Sequence, residues 1–152
     1  MQLVLREVTV DDLDVLFAHQ TDPVAVAMAS PVRRTREQFF EHWTKKVIGA
    51  PKHRNRAIVV DGQLAGFVVA FDRDGMRELA YFLGREFWGR GIASRAVAEF
   101  LREEKNRPLH ATVAVTNAGS IRVLEKSGFK RVSDEATTAP DGVVEYLYVL
   151  TA

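Results

Sequence analysis

Residues 56–83, RAIVVDGQLAGFVVAFDRDGMRELAYFL, restrict the fold more than any other stretch of the chain. Apolar runs of strand length stand at 56–71 and 77–83, and Asp61-Gly62 splits the first of them. An Asp-Gly pair supplies the positive φ angles that a two-residue hairpin turn needs. A second turn, Asp72 to Gly75, leads into the last run. The pattern predicts a three-stranded antiparallel meander. Its apolar faces must be covered, and helices are the usual cover.

The flanks supply those helices. Residues 2–8 suit a first strand. Thr9 stands as an N-cap with Asp12 three residues on. Leu13, Leu16 and Phe17 then recur at helical spacing, and Asp22-Pro23 ends that helix. Thr35-Arg36-Glu37-Gln38 is a capping-box pattern. Phe39, Phe40, Trp43 and Val47 form one stripe behind it, which predicts a second helix over 35–48. Ile92, Ala93, Ala96, Val97, Phe100 and Leu101 mark a third over 90–104. Residues 109–115 read as a strand, and Asn117 caps a further helix stopped by Gly128. Residues 129–135 and 143–150 alternate as two closing strands around a Pro140–Gly142 turn. The order predicts one α/β domain over 1–152, a sandwich with a mixed sheet.

Composition narrows the chemistry. The chain has 152 residues, 47% apolar and 27% charged, which is enough for one sizeable core. A net charge of +1 gives no overall field for nucleic acid. The absence of cysteine excludes disulfides, thiolate metal sites and a cysteine nucleophile. Asp72 to Gly75 is too short for a calcium loop. The first residues lack a basic region leading into an apolar core. No apolar run approaches the roughly 20 residues of a membrane span. A soluble cytoplasmic protein is the expectation, without metal, membrane or nucleic-acid partner.

Gly84 to Val97, GREFWGRGIASRAV, joins the end of the meander to a helix. The first amides of a helix lack internal partners and point at an anion. Gly89 and Gly91 let backbone approach without a Cβ. The turn reads either as a phosphate cradle or as a plain tight turn. No GK[ST] is present, so a Walker site is excluded. The third glycine of a dinucleotide fingerprint is replaced by Ser94, and strand 109–115 carries no acid.

Two stretches, ELAYFLGREFWGRGIASRA and VTNAGSIRVLEKSGF, resemble the GNAT superfamily of acyl-CoA N-acyltransferases. They are most similar to its ribosomal-protein N-terminal alanine acetyltransferase branch. Glu86 stands where the superfamily's turn usually opens on Gln or Arg. The resemblance implies a mostly antiparallel, twisted sheet splayed between strands 77–83 and 109–115, with helices on both faces. It implies acetyl-CoA as co-substrate and a small-molecule or peptide amine as acceptor, with no metal. Phe82, Leu83 and Gly84 would edge the pantetheine as an added strand does. Gly89, Arg90, Gly91, Ile92, Ala93 and Ser94 would hold the pyrophosphate, with Arg85 and Arg95 offering further charge. Asn117 would hold pantetheine while also capping its helix. A backbone N–H at Phe82 or Leu83 would meet the oxyanion. Ser120 would protonate the leaving thiolate, with Tyr81 and Tyr146 as weaker donors. Glu78 would serve as base, directly or through water; otherwise it sits at an exposed strand start or pairs with an arginine. Arg122 and Lys126 would reach the adenosine end or face water. The resemblance also admits a homodimer.

The acceptor site has little signature. The front helices and the last hairpin would shape it, which nominates Phe39, Phe40, His42, Trp43 and Tyr146; aromatics at helical spacing are more often core. The basic stretches 31–37 and 51–56 would recruit an acidic partner or remain solvated loops. A CoA-binding sensor without catalysis is the alternative reading.

Overall fold

The computed structural model describes residues 1–29, 31 and 33–152. The meander is present as β2 (Arg54–Val60), β3 (Gln63–Arg73) and β4 (Met76–Leu83). Asp61 and Gly62 have φ of 49° and 81°, and Asp74 and Gly75 have 51° and 78°. Both turns thus use the left-handed region that Asp and Gly tolerate best. β1 (Leu3–Arg6) pairs with β2, shorter than the expected 2–8. β5 (Leu109–Ala114) and β8 (Val144–Leu150) complete the long strands.

The eight strands run β1-β2-β3-β4-β5-β8-β6, with β7 also on β8. Among the described residues, β4 and β5 are the parallel pair and every other pairing is antiparallel. β4 and β5 match only at Arg77–Leu109 and Glu78–His110. Beyond those two pairs the strands separate, so the sheet is mixed and splayed where expected.

Helices cover both faces. α4 (Ile92–Glu103) and α5 (Ala118–Lys126) bury Ile92, Ala96, Val97, Phe100 and Leu124 against Leu79, Leu109, Ala111 and Tyr148. α1 (Leu13–Thr21), α2 (Pro23–Ala29) and α3 (Arg36–His42) bury Leu13, Leu16, Ala25 and Phe39 against Phe67, Val69 and Phe82. Strand alternation explains the division. Ala80 and Phe82 face α1–α3, and Leu79, Tyr81 and Leu83 face α4 and α5.

Several expected boundaries change. Asp22-Pro23 ends α1 and at once starts α2, because proline suits a first helical turn. Thr35 caps α3 as expected: Oγ1 accepts from the Gln38 N–H at 3.1 Å and Gln38 Oε1 accepts from the Thr35 N–H at 2.9 Å. That helix does not run regularly to 48. It widens into a π-helical turn over Trp43–Val47, which places Trp43 and Val47 in the core. The strand expected at 129–135 is only β6 (Lys130–Arg131), and β7 (Thr137–Thr138) is the arm that meets β8 across the last turn. β6 and β7 share the edge of β8 that β5 leaves open, at Tyr148–Val149 and Val144–Glu145, so each is short.

Candidate active site

The splay opens a cleft of about 580 Å³, lined by the end of β4, the glycine turn and start of α4, Thr116 and Asn117 with one face of α5, and Met28 and Ala29 of α2. That volume suits a small-molecule or cofactor site. At its rim, Gly89 and Gly91 each have φ of 74°, and a Cβ at either would meet no atom within 4 Å. The glycines are needed for conformation, and open space lies beside them. α4 makes its first hydrogen bond from the Arg95 N–H to the Gly91 carbonyl, at 3.2 Å. The amides of Ile92, Ala93 and Ser94 therefore have no helical acceptor. All three residues line the cleft. These observations fit a phosphate-bearing ligand.

The opposite wall carries a hydroxyl pair. Tyr81 and Ser120 join through their oxygens at 2.6 Å, and the Tyr81 O–H also lies 3.2 Å from the Ser120 carbonyl. Burial pushes the Tyr81 phenol up to about 12, against the opposing pull of Ser120. The phenol thus stays protonated at neutral pH. Asn117 Oδ1 accepts the Ser120 N–H at 3.1 Å, capping α5 and fixing Ser120. The Asn117 amide nitrogen remains free among the described residues. Arg122 and Lys126 also line this wall.

β4 supplies the floor. The Gly84 N–H donates to the Ala65 carbonyl at 2.8 Å, so Gly84 and Phe82 turn their backbone groups to β3. Leu83 faces the other way: its carbonyl accepts the Trp88 indole N–H at 3.0 Å. A Cβ at Gly66 would overlap the Phe82 carbonyl, so only glycine fits beneath that bend. Sequence reading passed over both Gly66 and Trp88. Their roles depend on contacts with β4 that no local pattern encodes.

Of the expected site residues, Phe82, Leu83, Gly89, Gly91, Ile92, Ala93, Ser94, Asn117 and Ser120 line one cleft. Glu78, Gly84 and Arg90 do not. Gly84 lies against the buried His19 ring, where a Cβ would come within 2.6 Å. Arg90 stands over Phe87 at 5.9 Å, and Arg85 pairs with Asp22 at 3.0 Å. Glu78 is 6% exposed, on the α1–α3 face beside the last β4–β5 pair, with Arg73 at 2.8 Å.

Glu145 lies on the same face as Glu78, opposite Ala114. Burial raises its carboxyl above the usual range, helped by Asp141 and Glu78 and opposed by Arg73. It went unnoticed in the sequence, although its alternation with Tyr146 and Tyr148 assigns it to this face. The aromatic acceptor candidates divide. Phe39 and Trp43 are core, Phe40 packs under Arg36 at 4.4 Å, and Tyr146 lies under Arg131 at 4.0 Å. The His42 imidazole is pushed down to about 4 by burial, then by Arg34, Lys46 and His53. Of the basic stretch 31–37, Val32 lies outside the described residues.

The splayed sheet beside open helix amides thus forms a cleft fit for an elongated, phosphate-bearing ligand. A family model for the acetyltransferase (GNAT) domain matches residues 2–130. The chain belongs to the GNAT acetyltransferase family and is an acetyl-CoA-dependent acetyltransferase. It is 27% identical over 144 residues to an uncharacterized N-acetyltransferase p20 of Bacillus licheniformis, covering 86% of this chain and 80% of that protein. Its fold is similar to that of spermidine N-acetyltransferase from Vibrio cholerae, solved with CoA and spermine. The TM-score is 0.79 at 16% identity, with 99% of this chain and 95% of that one covered. It is also similar to RimL, a ribosomal L7/L12 alpha-N-protein acetyltransferase. Here the TM-score is 0.77 at 16% identity, with coverage of 100% and 91%. Among the described residues no helix is long and apolar enough to cross a membrane, and no cluster of metal-binding side chains occurs.

Proposed function

We propose that residues 1–152 form one catalytic domain that acetylates a primary amine, either a protein N-terminus or a small-molecule amine, by direct attack within a ternary complex. The single observation that carries this reading is the cleft. It joins open helix amides at one end to the Tyr81–Ser120 pair on its wall. The neighbours solved with spermine and named for the L7/L12 N-terminus support an amine acceptor.

The amides of Ile92, Ala93 and Ser94, with the Gly89–Gly91 turn, would hold the pyrophosphate. The free nitrogen of Asn117 and the unpaired edge of β4 would hold the pantetheine amides. When bound, acetyl-CoA supplies a thioester carbon open to a nucleophile. The Leu83 N–H shares its direction with the Leu83 carbonyl, away from β3, and is the proposed oxyanion donor. Phe82 contributes its side chain to the wall. Ser120 would donate a proton to the departing sulfur as the C–S bond breaks. Tyr81 would stay protonated and donate a hydrogen bond to Ser120 Oγ, and water in the open cleft would return the proton to Ser120. Glu78 lies across the sheet from this pair, so the two faces divide the work. The amine enters on the α1–α3 face and passes its proton to Glu78 through water. An α-amino group near pKa 8 makes a small demand on that base, and a lysine near 10.4 a large one.

The test is thiol release from acetyl-CoA with a panel of peptides, polyamines, aminoglycosides and amino acids. The absence of cysteine removes any protein thiol background. Amine-dependent release is expected with at least one class. Tight CoA binding with no turnover on any acceptor would transfer the assignment to a non-catalytic CoA sensor. Failure to bind CoA would end both readings.

A further inference from the structure

We propose that a second polar cavity, at the end of the sheet away from the glycine turn, binds a phosphate dianion, free or as a terminal monoester. The cavity is about 500 Å³. It lies where β2, β4 and β5 begin, and it shares no lining residue with the acetyl-CoA cleft. Lys52, Arg54, Arg77 and Arg107 line it, with Asp72 and His110.

The cations are held in place and only partly spent. Glu104, wholly buried behind the wall, accepts from Arg77 Nη2 at 2.7 Å and from Arg54 Nε at 3.4 Å. Asn106 satisfies the rest of that carboxylate, through its side chain at 2.7 Å and its N–H at 3.2 Å. Arg77 Nη1 donates to the Lys52 carbonyl at 2.6 Å and approaches Asp72 at 3.4 Å. Arg107 is occupied with the carbonyls of Glu104, Asn106 and Ala152. Two nitrogens are left over: Arg77 Nε and His110 Nδ1 are both buried without a partner. The Arg54 Nη groups and Lys52 Nζ also make no hydrogen bond among the described residues.

Buried polar nitrogens without a partner are rare, and each asks for an explanation. Four cations against Asp72 and Glu104 leave an excess of positive charge. The free terminal donors come from two positions, Lys52 before β2 and Arg54 on β2, while Arg77 on β4 adds its charge to the lining with its Nη atoms on Lys52 and Glu104. A planar carboxylate meets one guanidinium well. A tetrahedral phosphate offers separate oxygens to Lys52 and Arg54 together.

The experiment follows the histidine side-chain resonances of the intact chain by NMR, first with CoA saturating so that the glycine turn is filled, then without it. Inorganic phosphate and glycerol 3-phosphate are titrated against sodium chloride at matched ionic strength. Expected is a saturable shift of His110 with at least one phosphate probe, with and without CoA, and none with chloride. Lys52→Gln with Arg54→Gln should weaken that binding by about tenfold or more. If Arg54→Gln unfolds the chain, Lys52→Gln alone, at an exposed position, must still weaken it. No His110 shift with either probe overturns the site, as does an equal shift with chloride or an unchanged titration in the variants. Because the titration reads phosphate binding and not turnover, loss of the acetyltransferase reading would leave the result interpretable.

Discussion

Alanine at Gly89 or Gly91 should separate conformational strain from ligand binding. Both residues have φ of 74°, and Gly62 in the β2–β3 turn has φ of 81°. A Cβ at any of the three meets no atom within 4 Å. The folded-state cost is therefore strain alone, about 1–2 kcal/mol per alanine. For a chain of this size each kcal/mol lowers Tm by about 2–4 °C, so each variant should melt about 2–8 °C lower. Gly62→Ala is the matched control, since it carries the same strain far from the cleft. Calorimetric titration with CoA should then divide them. Gly89→Ala and Gly91→Ala put a methyl where the pyrophosphate would meet the amides. Losing one charge-assisted hydrogen bond there weakens binding by about 10- to 100-fold. Gly62→Ala should bind as the parent does. If all three variants share one Tm and one CoA affinity, the glycines are a plain turn and the cradle argument fails.

Four further outcomes follow from the geometry. Ser120→Ala should lower kcat/KM by roughly 10²-fold as a lost proton donor. Tyr81→Phe should cost less, and the double variant should be little worse than Ser120→Ala, with a coupling of about 1 kcal/mol in a double-mutant cycle. Glu78→Gln should slow turnover most at low pH, where little amine is already neutral; an equal loss at every pH would make Glu78 structural through its Arg73 pair. His42, pushed down to about 4, favours the neutral form in the folded chain. Its contribution is present above an unfolded value near 6.5 and is lost as pH falls from there toward 4. His42→Gln should flatten the dependence of Tm on pH in that window, and an unchanged slope would refute the assignment.

The long, locally patterned elements were legible in the sequence. Two Asp-Gly turns fixed the meander, and the apolar stripe of Ile92, Ala96, Val97 and Phe100 fixed α4. The cap at Asn117 and the open amides after Gly91 follow from residue types at set spacings. What escaped depends on distant partners. The π-helical turn at Trp43–Val47 accompanies a distant contact, Trp43 on Phe67 with ring centroids 5.0 Å apart. The Tyr81–Ser120 contact joins residues 39 apart in the chain. The Glu104 cluster ties Arg54 and Arg77 together across three elements, and charge counting along the chain cannot find it. β6 and β7 are two residues each, too short to carry a period.

The central claim is that the amides opening α4 and the wall at Ser120 are two ends of one acetyl-CoA site. An amide-resolved NMR titration with CoA tests it most directly. The account predicts saturable shifts at Ile92, Ala93 and Ser94 together with Asn117 and Ser120, all with one binding constant. Shifts confined elsewhere, or none at these five amides while CoA binds, would contradict it.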